Sequence, residues 1–287
     1  MSTEPIWIPT PEPGIYPGIP AETYHKWDAM SNSWLKLLAD ASPKHFHYRR
    51  GHPKAPTKSM LTGTLLHKLC LERHHFPESY AVAPVGLQRT ATKKWAAFLE
   101  ANAPKRCITA TEFAQACGMA DGIMGHGDAS TLLMQGEPEV SIVWDNEEFG
   151  VRCKLRLDYL ARADKMIGDI KSTSDGDDHA VSSSVNKYGY HRQAGFYLDG
   201  TKAVGLDIER FILIFVESEP PYDAYAAVLD TNALQIGRHE YKNALRIYQH
   251  CVKTGQWPGR HETDVPAIPL PRWVLQSYGI RAEGVQI

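Results

Sequence analysis

The chain has 287 residues, 22% charged and 43% hydrophobic or aromatic, with a formal net charge of −2. This is ordinary for a soluble globular protein with a sizeable core, in one large or two small domains. A near-neutral total gives no overall positive field for nucleic acid, although binding needs only a local basic surface. Cys70, Cys107, Cys117, Cys153 and Cys251 are dispersed without a C-x-x-C pair, which argues against a disulfide framework or a zinc site. The opening MSTEPIWIPTPEPG lacks the basic-then-apolar order of a signal peptide, and the longest strongly apolar run, Phe211 to Val216, is too short to cross a bilayer. The expected location is the cytoplasm, with no membrane partner.

Residues 1–20 hold six prolines and predict an extended arm without regular structure, so residues 1–29 are set apart from a single domain over 30–287. MSNSWLKLLADASP predicts a helix capped by Ser31 or Ser33 and closed by Pro43. After a basic connector, GTLLHKLCLERHH carries a helical stripe of Leu65, Leu66, Leu69 and Cys70, and residues 91–135 read as mostly helical. From Glu139 the period shortens. EVSIVWD, GVRCKLRLDYLA and MIGDIKST read as strands. The polar stretch STSDGDDHAVSSSVNK then leads to a helix over YHRQAGFYLDGTKA. IERFILIFVE reads as a central buried strand paired with DAYAAVLD, and a long amphipathic helix runs from Asp230 or Thr231 to about Gly255. The expected fold is α/β, a mixed central sheet flanked by helices.

Asp158 and Asp169 stand inside two of these strands, where aspartate is disfavoured. A turn centred on Ala163 and Asp164 sets them directly across from each other, with Cβ atoms roughly 5 Å apart. Two such carboxylates resist joint ionisation unless a cation lies between them, and a hard divalent ion with oxygen ligands meets that need. A turn centred one residue later sets Asp158 opposite Lys171 instead. In both registers Asp169 and Lys171 share a face, while Ile170 points into the core.

This pattern resembles motifs II and III of the PD-(D/E)XK nucleases: Asp158, then Asp-Ile-Lys at 169–171. Gly63-Thr64-Leu65-Leu66-His67 and Glu72 resemble the G-x-x-x-H helix of the RecB-like branch, and Tyr190, Gln193 and Tyr197 its Y-x-x-Q-x-x-x-Y helix. Ser31 to Pro43 and Trp257-Pro258-Gly259 look like the RecE (exonuclease VIII) group. The resemblance implies a restriction-endonuclease-like core and Mg²⁺- or Mn²⁺-dependent hydrolysis of DNA phosphodiesters. It also implies metal ligation by His67, Asp158, Asp169 and the Ile170 carbonyl. Lys171 would ready the attacking water and stabilise charge on phosphorus, and Gln193 would orient the site or contact DNA, with Tyr190 and Tyr197 in support. Double-stranded DNA ends as substrate, a single-strand annealing protein as partner and a ring-shaped homo-oligomer follow from the same likeness, as does a place in phage or prophage recombination.

Two basic tracks are candidate DNA contacts. From Ala41 to Leu71 there is no acidic residue, and Arg49, Arg50 and Lys54 stand among histidines, Phe46 and Tyr48. Arg152, Lys154 and Arg156 alternate along the strand that leads to Asp158, a pattern that a solvated strand face would also produce. GIMGHGDAS has no preceding strand and there is no P-loop, so no nucleotide cofactor is expected. With only Cys251 in the C-terminal third, neither is an iron–sulfur cluster.

Overall fold

The computed structural model describes residues 6–134, 136–262 and 265–279. The first half runs β1 (Gly14–Tyr16), α1 (Ala21–Lys26), α2 (Asn32–Asp40), α3 (Pro43–Gly51), α4 (Lys58–Leu71), a 3₁₀ turn at Arg73–His75 and α5 (Phe76–Ser79). It continues with β2 (Tyr80–Val82), α6 (Thr92–Ala101), β3 (Arg106–Ile108), α7 (Ala110–Gly125) and α8 (Gly127–Met134). Then come β4 (Glu137–Asn146), β5 (Val151–Ala161), β6 (Met166–Thr173), α9 (Asp178–Tyr188) and α10 (Tyr190–Ala203). The chain closes with β7 (Arg210–Glu217), β8 (Ala224–Val228), α11 (Thr231–Thr254) and α12 (Arg272–Ser277).

Six strands form one mixed sheet in the order β1-β4-β5-β6-β7-β8. The β6–β7 pair is parallel and the others are antiparallel. As expected of a strand buried on both faces, β7 is apolar from Phe211 to Val216. Phe211, Leu213 and Phe215 join the core under α2, α3, α10 and α11, with Leu35, Phe46, Phe196 and Tyr241. Ile212, Ile214 and Val216 join the core under α4 and α7, with Leu66, Met119 and Ile123. Helix α11 opens on an Asp230 cap and ends at Gly255, whose φ of 69° is the left-handed conformation glycine adopts readily. Close helix packing also fixes α10. A Cβ on Gly237 of α11 would lie 2.0 Å from the His191 carbonyl oxygen, so only glycine permits this crossing.

Four sequence expectations are corrected. The proline-rich segment is not a detached arm: β1 pairs with β4, and Tyr24 and Trp27 are buried. Pro43 starts α3 rather than merely ending α2, because proline suits a first helical turn. The polar stretch after β6 contains α9, capped by Asp177. The region 91–135, read as mostly helical, contains β3, which pairs in parallel with the preceding β2 through α6 around a small core of Ala83, Trp95 and Cys107.

The cations of β5 are also reassigned. Lys154 is 2% exposed and donates to the carbonyls of Tyr24 (2.8 Å), His25 (3.3 Å) and Trp27 (2.7 Å). Arg156 pairs with Glu139 and donates to the Ile19 carbonyl, while Arg152 pairs with Asp145 and donates to the Pro11 carbonyl. This strand face is neither a DNA track nor a solvated face; it clamps the N-terminal segment onto the sheet. Lys154→Ala should therefore cost about 2–4 kcal/mol in urea unfolding, by stranding three carbonyls, and expose residues 6–29 to protease. An unchanged midpoint with weakened DNA binding would restore the DNA-contact assignment.

Candidate active site

The centre of the site is a notch in the sheet. Strands β5 and β6 pair only from Ala161–Met166 to Tyr159–Gly168. Beyond that point β5 stays with β4 and β6 stays with β7. The turn is centred on Ala163 and Asp164, as the first of the two registers requires, but spans four residues, with Lys165 at φ 52°. Within a strand, one residue's N–H and C=O point to the same side. Losing β5 as a neighbour therefore leaves both groups of Ile170 facing the notch. The Ile170 N–H donates to Asp158 Oδ2 (2.9 Å), and His67 Nε2 donates to the Ile170 carbonyl (3.0 Å). His67 Nδ1 lies 3.5 Å from Asp158 Oδ1, so one imidazole bridges the strand carbonyl and the carboxylate.

Both helical layers reach the notch. From the α4 layer comes His67, four residues after Gly63, where an added Cβ would meet no protein atom within 4 Å. From the α10 layer comes buried Gln193, whose Nε2 donates to Asp169 Oδ1 (2.6 Å), with Tyr197 hydrogen-bonded to Gln193 in turn. Asp169 Oδ2 forms an ion pair with Lys171 but accepts no hydrogen bond of ordinary geometry. The Lys171 Nζ also sits 4.8 Å from the centre of the Tyr190 ring.

The charges are strongly coupled. Burial tends to lower the His67 pKa, but the charge and hydrogen bond of Asp158 outweigh it and raise it to about 9. Burial would raise Asp158; the adjacent His67 takes it below its usual value. Asp169, the more enclosed of the two, is raised by burial and by the charge of Asp158, despite Lys171. Burial opposes the charge on Lys171, yet both aspartates hold its pKa above the ordinary lysine value. An imidazolium and an ammonium thus balance the carboxylates.

Glu139 is the residue the sequence reading missed as a site member. Between the β4–β5 pairs Pro138–Tyr159 and Val140–Leu157, Glu139 and Asp158 drop out of the ladder, and Glu139 adopts φ 55°. A non-glycine residue there stores on the order of 1–3 kcal/mol of strain, a feature concentrated at functional sites. Ligand atoms of His67, Glu139 and Asp158 lie within 4.8 Å of one another. The available signal was an acid at the mouth of EVSIVWD, read only as the start of a strand.

The structure brings together His67, Asp158, Asp169, Ile170, Lys171, Tyr190, Gln193 and Tyr197, and most of them line a cleft of about 2080 Å³. It does not bring the cations of α3 and the segment after it there. Arg50 pairs with Asp28 and lies over the Trp7 ring, Arg49 donates to the His52 carbonyl, and Lys54 is exposed outside the cleft. Phe46 is buried and so is not a base-stacking ring.

A mixed sheet between helical layers, with D…D-x-K at a strand divergence, defines a PD-(D/E)XK-type, restriction-endonuclease-like fold. Residues 31–264 match the model of the PDDEXK-like domain of unknown function (DUF3799), and the chain belongs to that family. A solved structure from Eubacterium rectale, described as a candidate exonuclease, shares the fold with a TM-score of 0.60 at 16% identity, covering 90% of this chain and 97% of its own. A phage-related exonuclease from Haemophilus somnus 129PT aligns over 75% of this chain and 96% of its own at 12% identity, but its TM-score of 0.33 is too low to argue from. Comparison with curated proteins finds no match. Among the described residues no helix is long and apolar enough to cross a membrane.

If Glu139 and Asp169 both hold an ion, Glu139→Gln and Asp169→Asn should each weaken Mg²⁺ or Mn²⁺ binding in calorimetry by more than the roughly 10–100-fold typical of residues that merely support a ligand. Wild-type affinity in Glu139→Gln would leave that residue as the partner of Arg156 alone.

Proposed function

We propose that the protein is a divalent-metal-dependent deoxyribonuclease, a RecE-like exonuclease that resects one strand from a duplex end and leaves single-stranded DNA for an annealing partner. The observation that carries this reading is the convergence of His67, Asp158, Lys171 and Ile170 on one cleft, with buried Asp169 paired to Lys171. A metal-ion requirement fits these residues. The donors are carboxylates, a carbonyl and one imidazole, a set suited to Mg²⁺ or Mn²⁺, and ligand atoms of His67, Glu139 and Asp158 lie within 4.8 Å of one another. His67, Glu139, Asp158, Asp169 and the Ile170 carbonyl are the groups that would hold the ion. When bound, it would supply an acidified water and a Lewis acid for the phosphate oxygens.

The chain's own groups divide the remaining work. Asp169 holds Lys171 at the cleft face, and Gln193 fixes Asp169 from behind. Lys171 orients the attacking water and stabilises the charge that develops on phosphorus, as a preorganised cation in a partly enclosed site. Tyr190 lies beneath its ammonium and limits where the cation can point. A ring-shaped oligomer around DNA, and a place in recombination of phage or prophage origin, extend the same reading.

The deciding experiment is digestion of end-labelled linear duplex beside covalently closed circular DNA, with Mg²⁺ and with chelator. Metal-dependent loss of linear DNA alone is expected; equal attack on circles would make the protein an endonuclease, and no cleavage of either would remove the nuclease reading. Lys171→Ala should lower the rate by ~10²–10³ without unfolding the protein, and activity within about tenfold of wild type would end its catalytic assignment.

A further inference from the structure

The cleft has two chemically different walls. On the α4 side stand Lys58, in the first turn of α4, and Lys105 and Arg106, at the start of β3. All three are exposed, and their side chains have no ion pair or hydrogen bond among the described residues. This is unusual here. The other cations of the cleft are committed: Lys154 and Arg156 to the N-terminal segment, Lys68 to Glu72, and Lys171 to Asp169. The β2–α6–β3 unit has its own core and joins the α4 layer through Tyr80 and Ile108, so Lys105 and Arg106 are held on a rigid support.

The α10 side is aromatic. Tyr188 ends α9, Gly189 turns the chain at φ 71°, and Tyr190 begins α10. This junction stacks the two rings, with centroids 5.7 Å apart and an interplanar angle of 28°. Tyr190 carries the half-buried Lys171 ammonium on its ring; Tyr188, with the solvent-exposed Lys187 ammonium 5.3 Å from its ring centre, is 46% exposed and lines the cleft one ring further out. Trp34, at the start of α2, lines the same wall.

An intact duplex hides its base faces and would meet only the cationic wall. A cleft with separate places for phosphates and for the flat face of a base suits a strand whose bases have turned out. We infer that the strand enters this cleft unpaired, its phosphates held by Lys58, Lys105 and Arg106 and a base near the scissile phosphate stacked on Tyr188. This rests on the nuclease reading and names the form of substrate that the site takes: a frayed or single-stranded DNA end.

The test is binding of labelled oligothymidylate and of hairpin-capped duplex, by fluorescence anisotropy across a salt series, with Ca²⁺ replacing Mg²⁺. Tyr188→Ala should weaken oligothymidylate binding roughly 5- to 100-fold at an unchanged salt slope, and Tyr188→Phe, which keeps the ring, should restore it. Lys105→Ala with Arg106→Ala should flatten the slope by about 1–2. Capped duplex should bind less tightly than oligothymidylate, and its affinity should not respond to Tyr188→Ala. Unaltered affinity and slope in these variants, or equal losses on capped duplex and single strand, would overturn the inference. All three side chains are exposed, so an unchanged melting temperature separates lost binding from lost folding. Cleavage of end-labelled duplex by the wild type is scored separately. If it cleaves while the variants bind as wild type, this inference alone falls; if it cleaves nothing, the nuclease reading falls.

Discussion

The site depends on one interruption of backbone pairing. Because β5 leaves β6 after the Tyr159–Gly168 pair, Ile170 has an N–H and a C=O with no strand to meet. A buried peptide group left unpaired is costly, so the gap must be filled by side chains that can accept and donate at once. Asp158 supplies the acceptor and His67 the donor. The backbone requirement and the placement of the acid and the imidazole are therefore one arrangement. An apolar substitution at either position would leave a hole in the sheet's own hydrogen bonding as well as in the site.

Around that gap the molecule separates cations by job. Lys154 and Arg156 are spent on structure, fastening the N-terminal segment along β5 and setting Glu139 beside Asp158. Lys171 is held against Asp169 and Tyr190 at the cleft. Lys58, Lys105 and Arg106 remain open to solvent at the rim. The near-zero net charge thus conceals a sorted distribution, in which some basic residues clamp the N-terminal segment and others stay open to solvent.

The strands were legible because β4 to β8 follow a two-residue period or, when buried on both faces, an unbroken apolar run. The turn position was legible in the sequence, but the ladder it starts ends at Tyr159–Gly168, so Asp158 meets the Ile170 N–H rather than standing paired with Asp169. His67 and Gln193 could not be placed by local pattern; a helix stripe looks the same whether it packs or binds, and only the motif resemblance singled them out. Arg152, Lys154 and Arg156 misled because alternating charge is identical whether it faces water, DNA or a covering segment. The identity of that cover is a long-range fact: Lys154 meets carbonyls about 130 residues earlier in the chain. Glu139 was missed because its departure from the ladder is a tertiary accommodation with no local signature, and α9 because a polar helix resembles a loop in composition.

The parallel pairing of β6 with β7 has a temporal consequence. The two strands are joined only through α9 and α10, so the chain must pass residue 203 before β7 can dock beside Asp169. Such a crossover forms late, since the long connection must close before any contact rewards it. A nascent or prematurely ended chain reaching only to β6 would carry the acids and the lysine without Gln193 behind them or β7 beside them. The site's sheet is therefore completed only when the last central strand docks beside Asp169.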